Sequence, residues 1–83
     1  MLSNIEDRIV TLISEAGRIP KEKVTPDTRL EELDIDSLVI VDLSFKLRKE
    51  FDVPPDIDQE LDRAETVNEI IDLVKRSEAR RAS

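Results

Sequence analysis

Apolar residues recur along this chain at helical spacing, and no segment alternates in the manner of a strand. Leu2, Ile5, Ile9, Leu12, Ile13 and Ala16 share one face of a helix expected over residues 4–16. Ser3 and Glu6 have capping-box spacing at its start. Gly17, the only glycine, stands where a left-handed C′ residue is expected, and Pro20 prevents continuation. Residues 18–35 form a long connection, broken by Pro20 and Pro26 and pinned by Val24, Leu30, Leu33 and Ile35. Capping spacing over residues 28–31 predicts a short helical turn near Leu30–Leu33. A long loop in a small domain is often functional.

A second helix is expected over residues 37–51, with Asp36 as its N-cap. It carries too many apolar residues for one narrow stripe, and they divide into two lines. Ile40, Leu43, Leu47 and Phe51 form one; Leu38, Val41 and Phe45 form the other. One line can face a core, and the other is then at least partly exposed. Pro54 and Pro55 stop the helix. A short helix is expected over 58–63, capped by Asp56 or Asp58, with Ile57 and Leu61 turned inward. The last helix follows Thr66, which forms a capping box with Glu69. Its apolar face is Val67, Ile70, Ile71 and Val74, and Lys75 and Arg76 suit its negative C-terminal end. The expected fold is all-α: a small bundle of three main helices and one short one over residues 1–76, with 77–83 as a flexible tail.

Composition narrows the function. Eighty-three residues allow one domain, and Phe45 and Phe51 are its only aromatic residues. The chain has neither Cys nor His, which excludes disulfides, the usual zinc and transition-metal sites, and Cys-His or Ser-His-Asp catalysis. Thirteen basic against 20 acidic residues give a net charge of −7, which disfavours nucleic acid as a partner and favours basic protein surfaces. No apolar run is long enough to span a membrane, and residues 1–7 lack signal-peptide features. A cytoplasmic location and a monomeric state are expected.

The informative stretch is Leu33-Asp34-Ile35-Asp36-Ser37-Leu38. It sets a serine on the first turn of a helix, after an acid, at the end of a long loop. Unpaired backbone N–H groups and the helix dipole favour a phosphate there. On this pattern alone a simple helix cap is the commoner reading. The apolar line that begins at Leu38, one residue after the serine, gives the pair a different context. A calcium loop beginning at Asp34 fails, because its sixth position is Val39 and its twelfth is Phe45. Asp34 with Asp36 as a hydrolytic carboxylate pair lacks the deep pocket such chemistry needs.

Asp36-Ser37-Leu38, Asp42, Leu43, Leu47 and the closing Phe51-Asp52 resemble the second helix of acyl carrier proteins. The helix order, the Glu32-Leu33 lead-in, the proline turn, the short acidic helix and the Thr66-Val67 start are similar too, so the resemblance covers roughly Ile5 to Val74. It implies that a phosphopantetheinyl transferase attaches 4′-phosphopantetheine to Ser37, with Asp36 beside the attachment point. The arm's thiol would carry acyl groups as thioesters to acyl-loading, acyl-transferring or condensing enzymes. The domain would be a carrier, not an enzyme. By position, Leu38, Val39, Val41, Asp42, Phe45 and Arg48 would meet the partners.

Two positions and one stretch depart from the family pattern. Asp34 replaces a usual glycine three residues before the serine, Val39 replaces a usual polar residue, and the later half of the helix is basic. Residues 37–51 carry a net +1, through Lys46, Arg48 and Lys49, whereas residues 52–65 carry −5. This redistribution points to a specialised carrier with particular partners in fatty-acid, polyketide or other lipid synthesis. An aminoacyl or peptidyl carrier and an unmodified helical adaptor are the competing readings.

Overall fold

The apolar faces converge on one aliphatic centre. Among its described residues a computed structural model contains four α-helices: α1 (Asn4–Gly17), α2 (Ser37–Glu50), α3 (Ile57–Arg63) and α4 (Val67–Ala82). Two 3-10 turns, Lys21–Lys23 and Leu30–Leu33, punctuate the long loop between α1 and α2. The structure describes residues 4–51 and 53–82, so Leu2 and the Ser3 cap lie outside it. Among the described residues there is no strand, only an isolated bridge between Arg29 and Thr66.

Ile9 and Ile13 of α1, Leu43 and Leu47 of α2, Ile57 and Leu61 of α3, and Val67, Ile70, Ile71 and Val74 of α4 are all sealed from solvent. Full burial of each such side chain is worth about 1.5–3 kcal/mol, so the core needs no aromatic residue. Phe51 is half-buried at its edge, and Phe45 lies outside it. Ion pairs join the helices: Arg8 of α1 grips Glu50 of α2 at two points, and Lys75 of α4 reaches Glu6 of α1 at 2.6 Å.

The end of α1 differs from the sequence expectation. The left-handed residue is Arg18 (φ 55°), and Gly17 remains helical. Arg18 N–H donates to the Glu15 carbonyl at 3.4 Å and Ile19 N–H to Ser14 at 3.0 Å, which makes a Schellman motif with Arg18 at C′. Gly17 serves a different need. A Cβ there would lie 2.6 Å from Ile19 Cδ1, so the glycine makes room for Ile19 to fold back over the helix end.

The long loop is anchored as its apolar residues require. Val24 and Leu30 are buried, and Leu33 and Ile35 are half-buried. It is also laced to the start of α4. Val67 N–H donates to the Thr28 carbonyl at 3.0 Å, Asn68 N–H to Pro26 at 2.9 Å, and Leu30 N–H to Glu65 at 2.9 Å. These bonds satisfy donors that a helix start leaves free. The turn at Leu30–Leu33 takes Arg29 as its N-cap instead of Thr28: Glu32 accepts from Arg29 N–H at 3.0 Å, while Thr28 Oγ1 pairs with Thr25 Oγ1 at 2.7 Å.

α3 starts at Ile57 with Asp56 in the N-cap position, although the Asp56 side chain makes no capping bond. The Thr66–Glu69 box forms: Glu69 accepts from the Thr66 N–H at 2.8 Å, and Thr66 Oγ1 accepts from the Glu69 N–H at 3.3 Å. α4 runs on through Ala82, past the end expected near Arg76. No Gly or Pro follows Arg76, and Ser77 is buried, donating to the Leu73 carbonyl at 3.1 Å. Lys75 and Arg76 therefore lie within the helix, where Arg76 Nε reaches the Asp72 carbonyl at 3.4 Å.

Candidate functional site

The site begins where the loop turns into α2. Asp34 adopts a left-handed backbone (φ 55°, ψ 37°), a conformation open to glycine and tolerated by Asp and Asn. Ile35 follows, half-buried, its N–H donating to the Leu30 carbonyl at 3.4 Å. Asp36 is extended, and its carboxylate accepts from Val39 N–H at 3.0 Å. The first intrahelical bond runs from Ile40 N–H to the Asp36 carbonyl at 3.0 Å. Ile35 and Ile40 turn toward the core, which leaves Ser37 between them exposed on the first turn.

A shallow groove of about 330 Å³ opens beside Ser37. Leu30, Ile35, Ile40 and Leu61 give it an apolar lining, and Glu31, Asp36 and Asp62 contribute acidic groups. An exposed hydroxyl at a helix start, next to an apolar groove, suits a covalently tethered group with a phosphate at its root. A larger hollow of about 690 Å³ lies between α3 and α4, lined by Arg63, Glu69, Leu73 and Arg76 among others. It contains none of the site residues expected from the sequence. Among the described residues, no cluster of acidic side chains is arranged to hold a metal ion.

The two apolar lines of α2 separate cleanly. Ile40, Leu43 and Leu47 are buried, whereas Leu38 is 79 %, Val41 59 % and Phe45 53 % exposed. Asp42 and Arg48 are exposed on the same helix, with Asp42 3.9 Å from Lys46. Val39 stands apart from the exposed line. It is half-buried, and its Cγ1 lies 4.0 Å from the place a Gly17 Cβ would occupy. The Arg8 guanidinium holds the Glu50 carboxyl below the usual carboxylate range.

Sequence reasoning overlooked Glu31 and Asp62 beside Ser37, because one comes from the Leu30–Leu33 turn and the other from α3. It also did not expect the contact of Lys49, whose Nζ lies 5.1 Å from the Phe45 ring centroid. Their i, i+4 spacing was the available signal.

The arrangement is that of a small helical bundle that presents an exposed serine at a helix start beside a shallow groove. A family model described as "Phosphopantetheine attachment site" matches residues 7–74. The acyl carrier proteins of Buchnera aphidicola subsp. Acyrthosiphon pisum strains Tuc7 and APS are each 36% identical over 76 residues, covering 90% of this chain and 94% of theirs. That of strain 5A is 36% identical over 75 residues, covering 89% and 92%. The chain belongs to the phosphopantetheine-attachment family of carrier proteins. Its role is that of an acyl carrier, and its prosthetic group is covalently attached 4′-phosphopantetheine. A carrier domain of this kind interacts with transferases and acyl-handling enzymes.

Proposed function

We propose that Ser37 is the attachment residue and that the chain is a specialised, non-catalytic carrier of acyl groups. In this reading a phosphopantetheinyl transferase directs the Ser37 hydroxyl onto the pantetheine-bearing phosphorus of coenzyme A, and the bond from that phosphorus to the bridging oxygen of the diphosphate breaks. A phosphodiester forms, adenosine 3′,5′-bisphosphate departs, and the hydroxyl proton passes to a base of the transferase. The arm supplies the thiol on which acyl groups travel as thioesters. The chain's own residues orient the attachment point: Asp36 fixes the first turn, and Ile35 and Ile40 hold Ser37 outward. Leu38, Val41, Asp42, Phe45 and Arg48 meet the partner enzymes, with Val39 lending its packing to the helix start. The carrier works as a cytoplasmic monomer in fatty-acid or related lipid synthesis.

The observation that carries this reading is the exposure of Ser37 at the first position of a capped helix, within the stretch that matches the family. The other serines among the described residues are committed elsewhere. Ser14 Oγ donates to the Ile19 carbonyl at 2.5 Å, and Ser44 and Ser77 are buried. Incubation with coenzyme A and a promiscuous phosphopantetheinyl transferase should raise the intact mass by one phosphopantetheine. Ser37→Ala should abolish the gain. An unchanged mass in the parent chain, or a gain that survives in Ser37→Ala, overturns the assignment.

A further inference from the structure

The exposed face of α2 changes character along its length. Leu38, Val41 and Phe45 occupy the part nearest Ser37. Arg48 then lies two turns beyond Val41, and Lys49 lies one turn beyond Phe45 with its ammonium over the ring. The apolar strip therefore runs into a cationic end, roughly 16 Å from Ser37 along the helix at 1.5 Å per residue.

Among the described residues, the two carboxylates of α2 are engaged elsewhere. Glu50 is held at two points by Arg8 of α1, and Asp42 faces Lys46 at 3.9 Å. Among the described residues, neither Arg48 nor Lys49 has a carboxylate partner. The chain as a whole carries −7, so an extended polyanion such as nucleic acid or an anionic membrane meets net repulsion. A compact acidic cluster acts at contact range, where the local cations dominate. The adjoining apolar strip calls for a partner surface that is partly apolar, as docking clefts on proteins are.

Building on the carrier reading, we propose that α2 docks on an acyl-handling enzyme whose cleft joins an apolar floor to an acidic cluster. The floor receives Leu38, Val41 and Phe45. The cluster meets Arg48 and Lys49, about 16 Å from the mouth that admits the Ser37 arm. Charge complementarity at this end selects the partner, because a basic rim would face two desolvated cations.

The test uses one carrier-dependent condensing enzyme in two forms. One is native, with a basic docking mouth; in the other, those lysines and arginines are replaced by glutamate. Binding of the full unmodified chain is measured by interferometry at low and high salt. The parent chain should bind the glutamate form about tenfold tighter than the native form, with the preference fading at high salt. R48E/K49E should reverse the preference, R48Q/K49Q should remove it, and Val41→Asp should weaken binding to both forms. Circular dichroism of each variant excludes misfolding. Equal binding to both forms, no binding to either, a preference untouched by R48Q/K49Q, or tighter binding to phosphatidylglycerol vesicles overturns the proposal. Modification of Ser37 is read separately by mass, so failure of the carrier reading is distinguishable.

Discussion

Asp36 caps α2 by accepting a hydrogen bond from Val39 N–H at 3.0 Å, one residue before the serine that the helix presents. A residue in this place has a structural duty whether or not it also meets a partner. The two duties separate by substitution. Asp36→Ala should cost about 1 kcal/mol of stability, the usual value of a lost N-cap. Asp36→Asn keeps an acceptor oxygen and should melt near the parent. If Asp36 also positions the modifying transferase through its charge, Asp36→Asn should lower kcat/KM for modification of Ser37 while leaving the melting temperature unchanged. Equal rates for Asp36→Asn and the parent would confine the residue to capping.

The turn at the end of α1 makes a second prediction. Arg18 sits in the left-handed region at φ 55°, which costs an ordinary side chain about 1–2 kcal/mol. Arg18→Gly should raise stability in urea titrations. Gly17 should behave in the opposite way, since a side chain there collides with Ile19. Gly17→Val should destabilise by about 1–2 kcal/mol. In an Ile19→Ala background the space opens, and Gly17→Ala should then stabilise through its better helix propensity. A Gly17→Ala effect that is identical in both backgrounds would refute the close-packing account.

The two lines of α2 should respond differently to truncation. Leu43→Ala and Leu47→Ala leave holes in a sealed core and should each cost about 2–5 kcal/mol. Val41→Ser and Phe45→Gln change exposed side chains and should stay within about 0.5 kcal/mol of the parent. Their effect should fall on transfer of acyl groups to partner enzymes, read as a raised KM. Loss of stability in Val41→Ser or Phe45→Gln would contradict the assignment of that line to solvent.

A pH dependence follows from Glu69. The N–H groups of Glu65 and Thr66 hold its carboxyl below the usual carboxylate range. A depressed folded-state value stabilises the fold above the unfolded value, and the contribution is lost as pH falls through the folded value. Glu69→Ala should therefore be less stable than the parent at neutral pH. The gap between the two should narrow as pH falls from the ordinary carboxylate range through the lowered folded-state value. A gap that stays constant across this range would remove the ionised carboxylate from the account.

Much of the site was legible in the residue order because its causes are local. An acid before a serine at a helix start is a property of neighbouring residues, and so are the two apolar lines of α2. The left-handed residue after α1 was misplaced by one position. Glycine is the usual signal for it, but here the glycine answers to Ile19, a contact that appears only when the chain folds back. The length of α4 was underestimated because Ser77 has no apolar face to advertise its burial. The groove beside Ser37 was invisible for a related reason: its lining comes from the loop, α2 and α3 together.

The sequence by itself determined the helices, the cap at Asp36, the placement of Ser37 and the division of α2 into two lines. These follow from periodicity and from hydrogen bonds between near neighbours. The tertiary structure decided which line faces water. Ile40, Leu43 and Leu47 are buried because α1 and α3 pack against that side of α2, leaving Leu38, Val41 and Phe45 uncovered. It also decided how charge is spent. Glu50 belongs to α2 in the sequence, but Arg8 from α1 claims it, and so the end of the exposed face of α2 is left cationic on an acidic protein. Both outcomes depend on contacts between residues far apart in the chain, which no local pattern encodes.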